Sequence, residues 1–341
     1  MLETIWFVLW AVLWAVYFML DGFDLGLGAL MPWLAKSDRD RRVIYNAMGP
    51  LWDGNEVWLI TAGGVTFAAF PLTYAVMFSS LYTPLMMLLF ALILRGVAFE
   101  FRAKVDSPAW RSVWDWCLIL GSFLPALLLG VAFANIFMGI AIDKQHIWQG
   151  SFFGLLNPYG LLGGILFVLL FKQHGALWLV NKSEGELQER AAGAARVLWP
   201  MVLVAAVVFL VASWFYTKLW DNYLAHPLLL IIPLLCVASL LLTRFFAAKG
   251  QWWKAWFGSS GTIVFATLWG VFGMFPNLLA SSIDPAASLT AFNSSSSPLT
   301  LKIMLGVALV MVPIVIIYQF LIYRFFSNKI TDEELAYDEA Y

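Results

Sequence analysis

The chain has 341 residues, of which 62% are hydrophobic, 17% aromatic and only 12% charged. A soluble domain is about half apolar and about a quarter charged, so this composition is that of a polytopic membrane protein. A net charge of −1 leaves no basic field for nucleic acid, and two cysteines, Cys117 and Cys236, are too few for a four-ligand metal or iron–sulfur site.

A transmembrane helix needs about 20 apolar residues. Nine stretches qualify in chain order: Ile5–Met31, Pro50–Phe70, Ala75–Phe99, Val113–Met138, Pro158–Val180, Val197–Leu219, Pro227–Ala247, Gly258–Leu279 and Thr300–Phe326. The second is the weakest, because Asp53 and Glu56 lower its hydropathy. Loop charge argues for keeping it. With nine spans, fifteen Lys and Arg residues fall on one side, against Lys144, Lys218 and Lys302 on the other. The positive-inside rule then puts the N-terminus outside and the C-terminus inside. Met1–Tyr17 lacks a basic n-region, so the first helix is expected to stay in the protein. The expected architecture is an all-α polytopic fold, one integral membrane domain over 1–341. Residues 327–341 form an acidic cytoplasmic tail, expected to be solvated or frayed.

An ionisable side chain at the bilayer centre costs roughly 2.5–3.5 kcal/mol on insertion scales and needs a partner, water or a purpose. The first helix carries Asp21 and Asp24, three apart and so on one face, beside the Gly22/Gly26 pair that admits a close neighbour. The second carries Asp53 and Glu56 at the same spacing, with Asn55 between. Opposite helix directions place all four carboxyls in the cytoplasmic half of one helix pair, a poised proton relay. The alternatives are buried packing carboxyls for the first pair and helix-dipole partners for the second. Arg95 either snorkels or pairs with a carboxylate or with an anionic group of a partner's cofactor. Asp115 reads as a cap on the fourth span, and Lys172 with His174 as a snorkelling helix end. Haem iron takes axial ligands such as His, Met or Cys. His146 and His226 fall at outside loops without a helical partner, so no haem site is expected wholly within the chain, although its twelve methionines leave room for other ligands.

Several runs resemble subunit II of bacterial cytochrome bd-type quinol oxidases. They are Asp21-Gly-Phe-Asp-Leu-Gly-Leu-Gly28, Trp52-Asp-Gly-Asn-Glu-Val-Trp-Leu-Ile-Thr-Ala-Gly-Gly64, Phe99-Glu-Phe-Arg102, Trp114-Asp-Trp116, Gly121-Ser-Phe123, Asn157-Pro-Tyr-Gly-Leu161 and Leu299-Thr-Leu301. They occur in family order and cover nearly the whole chain. The resemblance implies two four-helix bundles plus one peripheral helix in the bacterial inner membrane. It also implies a heterodimer with a homologous subunit I that holds two b-type haems and one d-type haem. The complex would oxidise quinol, reduce dioxygen to water and take up protons from the cytoplasm without pumping. Asp21 and Asp53 match the family's proton path, with Asp24 and Glu56 as helpers. Some relatives carry Gln at Glu56, so its ionisation is not needed throughout the family. The resemblance leaves room for a small single-span subunit, a structural quinone in this subunit and bound lipids. Two other classes also use intramembrane acids, a stand-alone proton-coupled transporter and a purely structural subunit.

Overall fold

The computed structural model describes residues 1–337 and 341. Asp338, Glu339 and Ala340 of the expected acidic tail lie outside the described residues. In chain order the helices are α1 (Leu2–Leu34), α2 (Asp38–Met48), α3 (Trp52–Ala69), α4 (Pro71–Ser80), α5 (Tyr82–Phe101), α6 (Pro108–Met138) and α7 (Pro158–Lys182). They continue with α8 (Gly185–Tyr216), α9 (Leu219–Ala225), α10 (Ile231–Ala248), α11 (Trp252–Met274), α12 (Pro298–Phe325) and α13 (Asp332–Leu335).

Among the described residues, eight helical segments are long and apolar enough to cross a membrane: α1, α5, α6, α7, α8, Pro227–Ala248, α11 and α12. The second predicted stretch, Pro50–Phe70, is helical as α3 over 18 residues, but Asp53, Asn55 and Glu56 in its first turns keep it below that apolar standard. The predicted span Ala75–Phe99 is divided at Leu81 between α4 and α5. Pro84 supplies the reason, since it has no N–H for the Ser80 carbonyl and its ring crowds that turn.

Helix starts follow a repeated signature. Ser107, Asn157 and Ser297 each accept a backbone N–H in the first turn, and each is followed by proline at the first helical position. Because α6 starts at Pro108, Asp115 lies two turns inside it and caps nothing. Its carboxylate instead binds Arg102 (Oδ1 to Nε, 2.7 Å) and lies 3.4 Å from Arg41.

α1 runs through the centre, packed on α3, α6, α7 and α11. The Gly22/Gly26 seam takes α7. A Cβ at Gly26 would fall 1.7 Å from the Phe171 carbonyl oxygen, and one at Gly175 would fall 2.5 Å from the Leu27 nitrogen, so the two backbones touch. α7 pairs with α8, and α10 with α11. α12 leans against α1 and α3 and buries only Leu301.

At one end the two long loops form a single cap. β1 (Asn277–Leu279) pairs antiparallel with β2 (Leu289–Thr290), and Ile140 bridges Ser281 from the loop after α6. The other end is the basic one. There α2 starts with a capping box between Ser37 and Asp40, and Arg190 reaches Asp40 at 2.7 Å. Residues of the expected frayed tail dock on α2 instead. Arg39 pairs with Asp332 at 2.5 Å, Arg42 donates to the Leu335 carbonyl and the Leu335 side chain is buried. The Tyr341 backbone exchanges two hydrogen bonds with the Asn46 side chain, at 3.0 and 2.8 Å.

Candidate functional site

Three of the four predicted carboxyl groups meet around Arg95. The guanidinium grips Asp21 with two hydrogen bonds, Nη2 to Oδ1 at 2.6 Å and Nη1 to Oδ2 at 3.1 Å. The Asp24 Oδ2 lies 3.8 Å from Nη2, and the Glu56 Oε2 lies 3.9 Å from Nη1. Asp21, Asp24 and Arg95 are fully buried, whereas the Glu56 side chain is 21% exposed. Arg95 therefore does not snorkel, and its Nη atoms face carboxyl groups of the chain itself. Its place depends on Gly121 of α6, where a Cβ would sit 2.6 Å from the Ala91 carbonyl and 2.8 Å from the Arg95 nitrogen. That contact brings the α5 backbone onto α6 and aims the guanidinium at α1.

Asp53 is not part of the cluster. It is exposed near the start of α3, toward the basic end and one turn before Glu56. The order from solvent inward is Asp53, Glu56, then Asp24 with the Asp21–Arg95 pair. Three carboxyl groups face one guanidinium in the interior. Buried charge without a partner is strongly disfavoured, so such a cluster needs shared protons to balance. Two oxygens have no hydrogen-bond partner among the described residues, Asp24 Oδ1 and Glu56 Oε2.

Sequence reasoning placed Asn55 near the acids but missed what it connects. Its Nδ2 donates to Asp24 Oδ2 at 2.7 Å, while its Oδ1 accepts from Gln319 Nε2 at 2.9 Å and from the Tyr323 hydroxyl at 2.8 Å. Gln319 and Tyr323 are four apart, on one face of the otherwise apolar α12. Two polar side chains at that spacing in a lipid-type helix were the available signal. Beside them runs an apolar groove of about 1060 Å³ between α1, α3, α11 and α12, lined among others by Trp6, Trp58, Trp256, Ile316 and Tyr323.

His174 is not a snorkelling residue. It is fully buried, with Nδ1 hydrogen-bonded to the Ser259 hydroxyl and Nε2 3.0 Å from the Met19 carbonyl. The carbonyl can only accept, so Nε2 carries a proton and the ring cross-links α1, α7 and α11. Lys172 is half-buried, its ammonium 4.1 Å over the Trp33 ring. His146 lies in the loop after α6 and His226 at the end of α9, near the loop-rich cap. His174 is engaged at both nitrogens and so does not offer an axial ligand for haem.

Comparison with known proteins gives the family. The sequence profile of the cytochrome bd terminal oxidase subunit II family matches residues 2–326. A Haemophilus influenzae protein described as a probable cytochrome oxidase subunit 2 is 39% identical, over 93% of this chain and 92% of its own length. The Bacillus subtilis cytochrome bd ubiquinol oxidase subunit 2 is 38% identical over 98% of both chains. The Escherichia coli cytochrome bd-I ubiquinol oxidase subunit 2 is 36% identical, over 98% of this chain and 96% of its own. Among solved structures, a chain of the bd oxidase from Geobacillus thermodenitrificans shares the fold, with a TM-score of 0.75 at 18% identity over 95% of this chain and 98% of that one. With its family profile, its relatives along nearly full length and its fold in agreement, the chain belongs to the cytochrome bd terminal oxidase subunit II family, a component of an oxidoreductase complex.

Proposed function

We propose that this chain pairs with a haem-bearing subunit I and carries the protons consumed when the complex reduces dioxygen to water. The observation behind this reading is the graded line of carboxyls, from exposed Asp53 through part-exposed Glu56 to buried Asp24. In it, Asp21 is the fixed counter-ion of Arg95, and Asp24 Oδ1 and Glu56 Oε2 hold the mobile protons. Oxygen chemistry belongs to the partner's b- and d-type haems, and the quinol donor is of the ubiquinol class named for the relatives. Protons are taken up from the cytoplasm and none are pumped.

The same reading makes 1–341 one membrane domain with nine spans, α3 being sheltered in the complex. Helices α1, α3, α5 and α6 form one four-helix group and α7, α8, α10 and α11 another, with α12 peripheral. The N-terminus faces the periplasm and the basic end the cytoplasm. A structural quinone would take the groove beside α12, where apolar walls suit an isoprenoid tail and Gln319 and Arg324 are polar ends.

The test is oxygen consumption per haem in the whole oxidase. Asp24→Asn keeps the hydrogen bond from Asn55 within reach but removes the exchangeable proton. Turnover should fall about 10-fold or more, roughly 1.4 kcal/mol on the limiting barrier. Haem content and subunit ratio should be unchanged. Glu56→Gln should be milder, since Glu56 is part-exposed and within reach of water. Near-normal turnover in both variants would leave the cluster as buried scaffold.

A further inference from the structure

We propose that Gln319 and Tyr323 of α12 are positioning residues that orient Asn55 and thereby decide which oxygen of Asp24 carries its proton; this rests on the proton-carrying reading above. α12 is an unlikely source of polar contacts. It buries only Leu301, and its face toward the groove is apolar from Ile303 to Ile316. Near its basic end it places two donors, Gln319 Nε2 and the Tyr323 hydroxyl, on one acceptor, Asn55 Oδ1. The Tyr323 ring is held for this task, with Phe23 of α1 6.2 Å away and Trp178 of α7 5.8 Å away, both edge to face.

A primary amide has two faces of similar shape, and buried Asn55 could present either to Asp24. With Gln319 and the Tyr323 hydroxyl both donating to its oxygen, Nδ2 is the end left to point at α1. Asp24 Oδ2 receives that N–H and is thereby an acceptor. That arrangement favours a proton on Oδ1, the oxygen that has no partner among the described residues. Turned over, the amide would offer its oxygen to Asp24, hold the proton at Oδ2 and stop it from moving on. The ionisable groups facing Asp24 are Asp21 on α1, Glu56 on α3, Arg95 on α5 and Tyr323 on α12, with Tyr17 of α1 beyond Asp21. The amide is the uncharged member that couples α12 to this set.

The test uses the whole oxidase with Tyr323→Phe, Gln319→Leu and the double variant, each assayed for turnover per haem, pH profile and the infrared carboxyl band that Asp24→Asn removes. Either donor alone still orients the amide, so each single variant should stay within about 3-fold of the parent. The double variant should lose more than the product of the two, about 10-fold or more, with a displaced pH profile and a displaced Asp24 band. Small multiplicative effects with an unmoved band would overturn the proposal even where Asp24→Asn is slow. A double variant that loses haem or subunit I while both singles work normally would also overturn it, since the ties would then be structural. Normal turnover in Asp24→Asn would defeat the proton path instead, and the band displacement would still report on the amide.

Discussion

At the scale of residues, Asp21 and Asp24 sit one helical turn apart with the same burial, yet they are different chemical objects. Asp21 has both oxygens on the Arg95 fork, and Asp24 has one oxygen on Asn55 and one without a partner among the described residues. Removing one member of a buried ion pair strands the other charge, at a cost of about 3–5 kcal/mol. Asp21→Asn should therefore lower the yield and thermal stability of the assembled oxidase, where Asp24→Asn lowers turnover alone. Yield of haem-loaded complex and its melting midpoint check this contrast. Equal yields for the two variants would contradict the assignment of Asp21 as a counter-ion.

Elements are held by backbone seams within the span and by charge pairs both inside it, as at Arg95–Asp21, and at the basic end. At the α1–α7 seam a side chain on Gly26 meets the Phe171 backbone, which cannot rotate away. Overpacking costs about 1–3 kcal/mol and more against backbone, so Gly26→Val should sharply reduce accumulation of the complex. Gly193 of α8 has nothing within 4 Å of an added Cβ, and Gly193→Ala should be neutral or slightly stabilising. At the basic end, burial pushes Asp38 upward, but the Arg102 hydrogen bond and the charges of Arg102, Arg111 and Arg41 outweigh it. The carboxyl is held below its ordinary value. A depressed folded pKa gives stability that is present above the unfolded value of about 3.9 and lost as pH falls through the folded one. Protease protection of the α2 segment should hold at pH 5 and weaken only below about pH 4. Asp38→Asn should remove that acid step.

For the whole molecule, topology decides whether the carboxyl line opens to the cytoplasm. The proposed nine crossings would put the termini on opposite faces. The Lys and Arg clusters on α2, after α5, on α8 and after α10 all collect at the end where Asp53 lies. Reporter fusions at Met1 and Tyr341 should read periplasm and cytoplasm respectively. A shared face would mean that α3 does not cross and would turn the entrance the wrong way.

Membrane class, the rough positions of the long apolar helices and the acid pairs were legible in the sequence because each is written in local terms, whereas the break at Leu81 and the short helices α2, α4 and α9 were not. A run of apolar residues or two acids three apart needs no knowledge of the rest of the chain. Family membership was legible for the same reason, through ordered runs such as Asp21–Gly28 and Trp52–Gly64. The choice among the acids was not. Asp53 and Glu56 look alike in sequence, and only the approach of α5 to α6 through Gly121 brings Arg95 to Asp21, Asp24 and Glu56 while leaving Asp53 exposed. Likewise Gln319 lies 264 positions from Asn55, and Tyr323 lies 268 away. Whether a buried carboxyl is a fixed counter-ion or a proton carrier depends on what stands opposite each oxygen, and helices distant in the chain supply those partners.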